Sequence, residues 1–496
     1  MIKKVLAASF WVSLGILLGR LLGFVREAVL AAKFGVSSNT DIAVLVLTIP
    51  DLLVNLLVAG GLSAALIPEF KSKKQSSSGA LFVQVSLFVL VLFIIVTILL
   101  SQLSGWLVYL FAPGMDDSVS QVAQRTLRGV LWLIPLTVLA GVSTAFLQSQ
   151  NRFAIPAMGT AIFNFSIVAG LIFFIDKSKG LAVLVMFIIA GGLVRWISQL
   201  WALRDNYSLV GNFNKVLLTG QLFHRYWQAV TALGILALYP IVFRSFASLQ
   251  GDGELSVVNF AFRLVELPLG VVITVLAVVL FPRLSEYHEK NDQESFSFVL
   301  KEGLFWSVLF ASSIAGVMAG GADLFTSIVY QWGEMTENEI EKVAMLVKIL
   351  AFSLPFQAAI VMSISGFNAR KITKMPLFLI LTGLVALMPA VFVSIENAGV
   401  SGGGKAVVLS YSFVCLLFLF MLGRKYISTG FLALLGTIAV FVIILSYYLT
   451  NSSKLLFSDS NLAVITSAVL IVVIVPFIVS LLFPQYRQFL IALWPR

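Results

Sequence analysis

The sequence predicts an all-α polytopic membrane protein with about fourteen transmembrane helices, in two six-helix halves and a C-terminal pair. Mean hydropathy is +1.02, 59% of the residues are hydrophobic and 11% are charged, whereas a soluble chain of 496 residues needs a far more polar surface. Apolar runs of about 20 residues, long enough to cross the hydrocarbon core as helices, recur from end to end. A third observation is that basic and acidic loops alternate along the chain.

The first span is predicted at 6–32, although the basic start and apolar middle of "MIKKVLAASFWVSLGILLGR" resemble a signal peptide. No convincing small-residue cleavage site follows, and Arg20 interrupts the apolar stretch, so this helix is expected to be retained. The other spans follow from the same apolar runs. They are predicted at 42–68, 80–103, 124–148, 155–175, 180–203, 226–249, 256–281, 303–330, 343–366, 376–394, 402–422, 430–449 and 462–483.

Basic residues are concentrated in alternate loops of this arrangement. One set of loops, together with both termini, holds nineteen Lys and Arg residues. The other set holds six and carries the acidic stretches "APGMDDSVS", "LQGDGELS" and "WGEMTENEIE". The positive-inside rule therefore places both termini in the cytoplasm and favours an even number of spans. The net charge of +10 follows mostly from this bias and does not indicate nucleic-acid binding.

The residue types for metal or nucleotide chemistry are scarce. Cys415 is the single cysteine, which rules out an internal disulfide, and the two histidines are in predicted loops, so a Cys/His metal site is not expected. No Walker-type "GxxxxGK[ST]" loop is present, so ATP is not expected to be used directly. We predict no cofactor; coupling to an ion gradient or to the membrane potential follows by elimination, with the ion unknown.

Two halves of the chain are similar to each other at an offset of about 217 residues. Three pairs of segments align in order, at offsets of 218, 214 and 220: "TDIAVLVLTIPDLL" (40–53) with "VNFAFRLVELPLGV" (258–271), "SAALIPEFKSKK" (63–74) with "AVVLFPRLSEYH" (277–288), and "LQSQNRFAIP" (147–156) with "FNARKITKMP" (367–376). This offset covers six spans, and an even number keeps both repeats in the same orientation. Transporters often use this plan, with the substrate between the halves near the membrane midplane.

Several ionisable residues fall inside predicted spans, where a charge at the bilayer centre costs about 2.5–3.5 kcal/mol. Arg20 lies about 20 Å into its span at 1.5 Å per residue, too deep to snorkel cheaply. Arg263 lies about seven residues into its own span, with Glu266 one turn later. Two interpretations stay open: a structural Arg–Glu pair, or side chains that face a water-filled cavity. A cavity richer in arginine than in carboxylate favours a phosphate or pyrophosphate substrate, because guanidinium binds phosphate oxygens bidentately.

Further motifs carry a resemblance to a known family. "GRLLGFVREAVLAAKFG" (19–35), "TD" (40–41) and "IPDLLVNLLVAGGLSAALIPEF" (49–70) resemble the MurJ, or MviN, family of lipid II flippases. "QNRFAIPA" (150–157), "FRLVELPLGV" (262–271) and "GFNARKITKMP" (366–376) match further points of that family, and the likeness runs in order to about residue 425.

The fold implied by the resemblance is that of the multidrug/oligosaccharidyl-lipid/polysaccharide exporter superfamily, in which two six-helix lobes form a V. In this family two further helices follow the lobes. The domains are then an N-lobe at 1–210 (helices 1–6), a C-lobe at 211–425 (helices 7–12) and a C-terminal pair at 426–496 (helices 13–14).

The function implied by the resemblance is movement of lipid II, an undecaprenyl pyrophosphate that carries the peptidoglycan disaccharide-peptide, from the cytoplasmic to the outer leaflet by alternating access. Cavity arginines of the first, second and eighth helices are important in the family, and Arg20, Arg26 and Arg263 fall on matching positions. Asp41 matches a family acid. We add Glu266 to this substrate-binding set because it lies one turn from Arg263.

The chain departs from the family pattern in the second helix. Val54 and Asn55 stand where the family often has a basic pair, and Ala59 stands where an acid is often found. Arg244 or Arg195 is expected to supply the missing charge from another helix. Arg244 is the better candidate and is predicted to bind substrate, since it lies in the seventh span, the counterpart of the first span in the repeat.

Three alternatives remain open. A Wzx-type flippase for O-antigen or exopolysaccharide units keeps the pyrophosphate arginines but differs in its headgroup contacts. A MATE-type cation-coupled drug antiporter needs acidic residues in the cavity, and the deep acids here, Glu27 and Glu266, each accompany an arginine. An enzyme acting on polyprenyl phosphates needs clustered carboxylates or histidines at the membrane face, and no paired-acid motif is found.

We therefore expect a transporter rather than an enzyme. It is expected in the bacterial cytoplasmic (inner) membrane as a multi-pass protein with both termini in the cytoplasm. The expected partners are a lipid-linked oligosaccharide, lipid II or a related molecule, and the lipid bilayer. No nucleic-acid partner is predicted, and the protein is expected to function as a monomer.

Overall fold

The computed structural model describes residues 2–57, 61–72, 75–174, 180–204, 238–372, 374–457 and 460–484. Within these ranges the regular elements are helices, without a strand. Eight helical segments are long and apolar enough to cross a membrane, and a ninth results if two helices that meet at 47°, Glu337–Ala351 and Leu354–Ala369, form one span. The predicted fold class, an all-α polytopic membrane protein, is confirmed, whereas the number fourteen stays a prediction.

Nine helices lie before residue 205 in the described part of the chain. They are α1 (Ile2–Phe34), α2 (Ser38–Leu57), α3 (Gly61–Ser72), α4 (Gln75–Gln102), α5 (Ser104–Phe111), α6 (Asp117–Val130), α7 (Leu133–Ser149), α8 (Ala154–Phe173) and α9 (Gly180–Leu203).

Nine more helices are described after residue 237. They are α10 (Leu238–Ala247), α11 (Glu254–Glu289), α12 (Gln293–Gly320), α13 (Ala322–Tyr330), α14 (Glu337–Ala351), α15 (Leu354–Ala369), α16 (Lys374–Tyr426), α17 (Thr429–Leu456) and α18 (Asn461–Leu481).

The predicted ninth span at 303–330 has the wrong bounds. Its helix, α12, begins ten residues earlier and ends at Gly320, and α13 is a separate helix of 9 residues. A short helix of 8 residues, α5, likewise follows α4, where a loop was predicted. Hydropathy misplaced the end of α12 because the apolar character continues across Gly321, while the backbone leaves the helical conformation there, with a φ of −101° and a ψ of 8°.

The longest helix, α16, contains the two spans predicted at 376–394 and 402–422. Its backbone leaves the helical conformation at Ala398 and at Gly399, whose φ of 62° and ψ of −160° suit a residue without a Cβ. Two helical arms therefore lie on either side of this break, and the predicted separation of these two spans is supported.

Local geometry supports the predicted internal repeat. After α7, the backbone N–H groups of Gln150 and Arg152 donate to Leu147, and Asn151 has a φ of 61°. After α15, at an offset of 220, the equivalent N–H groups donate to Phe367, and the residue in the left-handed conformation is Lys371, with a φ of 60°. The same helix-ending motif thus closes both halves of the third aligned pair.

A second feature recurs at the same offset. The helical pairs α6/α7 and α14/α15 are each interrupted by two residues, after Val130 and after Ala351. Pro135 and Pro355, both in the first turn of the following helix, lie 220 residues apart. Proline is tolerated in a first turn because the first N–H groups of a helix have no partner within it.

The described residues form two compact units. The first contains Met1–Ser256 with Trp332–Met335, and the second contains Val257–Gln331 with Thr336–Arg496. The predicted lobe boundary at 210/211 lies outside the described residues. Helix α10 belongs to the first unit here, whereas the sequence assigns it to the C-lobe, so the three predicted domains stay a prediction.

Small residues allow α1 and α8 to approach closely in the first unit. Gly15, Gly19 and Gly23 are four residues apart and therefore lie on one face of α1. A Cβ added at Gly15 would lie 2.7 Å from the backbone of Ala157, and one at Gly23 would lie 3.2 Å from the amide nitrogen of Asn164. This glycine seam brings the backbone of α1 within hydrogen-bonding distance of α8.

Within the second unit, polar contacts attach the C-terminal helices α17 and α18 to α12. Ser313 of α12 lies 3.0 Å from the hydroxyl of Ser446 in α17 and donates to the carbonyl of Ile471 in α18 at 3.3 Å. Lys454 donates to the carbonyl of Gly320 at 2.9 Å, which satisfies a carbonyl at the end of α12.

Candidate functional site

The arginines predicted on α1 have different environments. Arg20 is solvent-exposed in the structure, whereas Arg26, six residues later, is 5% exposed. Glu27, beside Arg26, is 2% exposed. Of these two arginines of α1, Arg20 therefore lies at the surface and Arg26 does not.

Arg26 belongs to a buried polar cluster, the Arg26 cluster, which also contains Glu27 and Asn164 of α8. One guanidinium nitrogen, Nη2, donates to Oε1 of Glu27 at 2.7 Å, and Nη1 donates to Oδ1 of Asn164 at 3.1 Å. Asn164 in turn donates to the carbonyl of Gly19 at 3.1 Å. The asparagine therefore links the guanidinium to the glycine seam.

The contacts within the Arg26 cluster support a structural role for Arg26, one of the predicted binding residues. A buried guanidinium is tolerated in an apolar interior when a carboxylate and further acceptors surround it. Protein groups occupy two of its terminal nitrogens here, although Nε of Arg26 has no partner among the described residues. The substrate-binding role of Arg26 stays a prediction.

Asp41 lies in the first turn of α2, where it accepts hydrogen bonds from residues at the start of α11. Its carboxylate accepts the N–H of Gly253 at 2.7 Å, the N–H of Ser256 at 2.8 Å and the hydroxyl of Ser256. Ser38 donates to Asp252 at 2.6 Å in the same place. Asp41 is 3% exposed, so in this structure it joins segments distant in sequence and does not face solvent.

Arg244 connects α10 to α2. Its Nη1 donates to the hydroxyl of Thr48 at 3.1 Å, and its Nε donates to the carbonyl of Pro240 one turn earlier at 3.2 Å. The residue is half-buried. This contact brings the guanidinium to α2, the helix in which Val54 and Asn55 take the place of the basic pair expected from the resemblance. The side chains of Val54 and Asn55, and the whole of Ala59, lie outside the described residues.

Arg263 and Glu266 both belong to α11 in the second unit. They are half-buried and lie one turn apart, and each takes part in polar or electrostatic interactions. Substrate binding by Arg263 and Glu266 stays a prediction.

The polar partners of these charges are not predicted from the sequence. Asn164, Thr48 and Ser256 hold Arg26, Arg244 and Asp41, respectively. A signal existed for Asn164, since it is an amide inside an otherwise apolar span. Nothing in the sequence shows which charge it contacts, because the partners are 138 residues apart.

The described residues contain no group of three or more His, Cys, Asp or Glu side chains that could hold a metal ion. Of the arginines predicted to bind substrate in the first unit, Arg20 is exposed, Arg244 is half-buried and Arg26 is buried.

Comparison with known proteins gives a consistent result across most of the chain. A profile of the family described as "Lipid II flippase MurJ" matches residues 30–474. A probable lipid II flippase MurJ from Buchnera aphidicola subsp. Acyrthosiphon pisum is 27% identical over 446 residues, which is 87% of this chain and 86% of that protein. A lipid II flippase MurJ from Burkholderia cenocepacia is 25% identical over 399 residues, 78% of this chain and 77% of that protein.

Solved structures show the same fold. Lipid II flippase MurJ in an inward closed conformation superposes with a TM-score of 0.79 at 20% identity, covering 97% of this chain and 99% of that chain. A multidrug resistance MATE family transporter in an inward-facing conformation superposes with a TM-score of 0.72 at 14% identity, covering 82% and 94%. At these identities the superpositions establish the fold alone.

Proposed function

Because this chain belongs to the lipid II flippase MurJ family, we propose that it moves lipid II from the cytoplasmic to the outer leaflet of the bacterial inner membrane by alternating access. The observation that carries this proposal is the match of the family profile over residues 30–474, which include nearly all of the described helices. The multi-pass helical fold and the charge bias of the loops agree with it.

The exposed arginine of α1 is suited to the charged part of such a substrate. Arg20 lies near the middle of a predicted span, and a guanidinium there needs water or an anion around it. The pyrophosphate of an undecaprenyl-linked saccharide supplies oxygens that guanidinium binds in pairs, at about 1.5–3 kcal/mol for each charge-assisted hydrogen bond. We propose that Arg20 binds pyrophosphate, together with Arg263 and Arg244.

The arrangement of deep acids supports this proposal over a cation-coupled drug antiporter. Such a transporter needs a carboxylate that exchanges a cation during transport. Glu27 is 2% exposed and ion-paired with Arg26 at 2.7 Å, so its charge is already compensated by a protein group. The similarity to MATE transporters therefore extends to the fold and not to an available acid at this position.

The proposed cytoplasmic position of both termini and the proposed monomeric state rest on the sequence. The positive-inside rule supports cytoplasmic termini, since nineteen cations lie on one side against six on the other. Action as a monomer is part of the proposal because the repeat supplies both halves of a transport unit within one chain.

Complementation of a bacterial strain depleted of its own lipid II flippase tests the proposed function. The intact chain should restore growth, and Arg20→Ala should abolish it at an unchanged protein level. Arg20→Lys should restore growth in part, since a lysine charge lacks the fork geometry. The matched control is Arg125→Ala, which removes another exposed arginine, on α6, and should leave growth intact.

Two results contradict the proposal. If the intact chain, inserted at a normal level, does not support growth, lipid II is not its substrate. If Arg20→Ala supports full growth, that arginine does not bind the pyrophosphate. Arg263→Ala, tested in the same way, examines α11 independently.

A further inference from the structure

A cavity of about 230 Å³ lies within the second unit, and none of the arginines discussed above lines it. It is formed by the end of α11, the turn into α12, the turn after α15 and the end of α16. Its lining residues are Tyr287, His288, Asn291, Asp292, Gln293, Phe296, Arg370, Ile372 and Tyr426. Polar groups and aromatic rings share this lining, as in sites that recognise small polar ligands.

The aromatic part of the lining is held firmly in place. Phe296 and Tyr426 are 2% and 7% exposed, and their rings meet edge to face with centroids 5.3 Å apart. The rings of His288 and Phe296 also meet edge to face, with centroids 6.3 Å apart. The cavity is therefore preformed rather than dependent on a loop that must close.

Arg370 supplies the positive charge of this cavity. Its guanidinium carbon lies 4.8 Å from the centre of the Tyr426 ring and 5.8 Å from that of Phe367. Aromatic rings do not occupy the N–H donors of a guanidinium as carboxylate or carbonyl oxygens would, so its five N–H groups stay available to an anion. Among the described residues, this guanidinium forms no ion pair and no hydrogen bond, although it is only half-exposed.

Two neighbouring lysines, unlike Arg370, form ion pairs. Lys371 is paired with Glu289 at 3.6 Å, and Lys290 is paired with Glu286 at 2.6 Å. Both pairs are exposed, and none of these four residues lines the cavity.

One carboxylate, Asp292, also lines the cavity, but it has a structural role. It caps α12 by accepting the N–H of Ser295 at 3.0 Å. Hydrogen bonds from the side chain and the backbone of Ser295 hold the pKa of Asp292 below its usual range, so it is ionised at neutral pH. The cavity lining thus contains one guanidinium and one fixed negative charge, a balance that favours a singly charged phosphodiester over a doubly charged phosphate monoester.

We propose that this cavity binds a phosphodiester group. Arg370 binds the phosphate, and the polar residues at the rim of the cavity contact the group esterified to it. The positive-inside rule assigns this end of the unit to the cytoplasmic face, where phospholipid headgroups are one source of phosphodiester and soluble metabolites are another. This site goes beyond the proposed function, because lipid II transport does not require it.

The test is binding of defined probes to the purified full-length chain in detergent, measured as a shift of the thermal unfolding midpoint. The lipid probe is a short-chain phosphatidylglycerol, the soluble probe is glycerophosphoglycerol, and diacylglycerol is the phosphate-free control. Arg370→Gln should weaken binding of the phosphodiester about ten- to a hundredfold, the expected loss for one charge-assisted contact. Lys371→Gln is the matched control, since it removes a neighbouring, already paired charge, and should change binding less than twofold.

A second variant keeps Arg370 and fills the space. Gln293→Trp introduces a bulky ring at the exposed rim and should abolish binding, which keeps the proposal testable if Arg370→Gln fails to fold. A response to phosphatidylglycerol alone assigns the site to a lipid headgroup, and an equal response to glycerophosphoglycerol assigns it to a soluble phosphodiester. The proposal is overturned if neither probe binds, or if Lys371→Gln weakens binding as much as Arg370→Gln.

Discussion

The Arg26 cluster gives a quantitative test of whether this arginine is structural. We consider three variants: Arg26→Met, Glu27→Met and the double variant. Each single change removes one partner of the ion pair at a site that is 5% or 2% exposed. Removing one partner of a buried ion pair typically costs about 3–5 kcal/mol, whereas replacing both by apolar side chains is often neutral or stabilising.

The expected result is a strongly non-additive cycle. Each single variant should lose about 3–5 kcal/mol of unfolding free energy, while the double variant should return close to the wild-type value. Unfolding in mixed detergent micelles provides the free energies. Arg125→Met is the matched control, because it makes the same chemical change at an exposed position of α6 and should shift the free energy by about 0.5 kcal/mol or less.

The structural reasoning is refuted if both single variants are as stable as the wild type, or if the losses add in the double variant. Growth complementation then gives an independent answer about function. A stable double variant that supports growth makes Arg26 a structural residue. A stable double variant without growth shows that the guanidinium also binds substrate, as the sequence predicts.

Three further predictions use other contacts. Asp41→Ala should lower the thermal midpoint more than Asp41→Asn, because an amide oxygen still accepts an N–H at the start of α11; equal midpoints contradict this reason. Gly15→Leu should lower the free energy of unfolding by about 1–3 kcal/mol or more, because the added side chain would clash with α8 at the glycine seam. Gly436→Leu should be tolerated in the same assay, because the position has open space around it. Arg244→Ala should impair growth complementation as severely as loss of the α1 arginine, and Val54→Arg should restore part of it; normal growth of Arg244→Ala excludes the compensating charge.

The sequence alone determined the class of protein and the positions of most helices. Twenty-residue apolar runs leave the backbone no alternative in a bilayer except a helix, so hydropathy predicts the elements directly. The internal repeat was also visible, because the same prolines and helix-ending loops recur at nearly one spacing. The left-handed residues Asn151 and Lys371 show that the similarity extends to backbone geometry.

Hydropathy did not determine where apolar stretches are interrupted. The helix end at Gly320 lies inside the apolar stretch predicted as a single span at 303–330, and the short helix α13 follows it. The end of a helix depends on which carbonyls find other partners, such as Lys454 at Gly320, and such partners lie far away in the chain.

The candidate site shows the same division. The arginines were visible in the sequence as charges where apolar residues are expected, since their desolvation cost makes them conspicuous. Only the tertiary structure decided that Arg26 is paired and buried while Arg20 is exposed, and that Arg370 lies against Tyr426 beside a cavity. The physical reason is that the energy of a charge depends on what surrounds it, and packing brings residues 138 positions apart, such as Arg26 and Asn164, to within 3.1 Å.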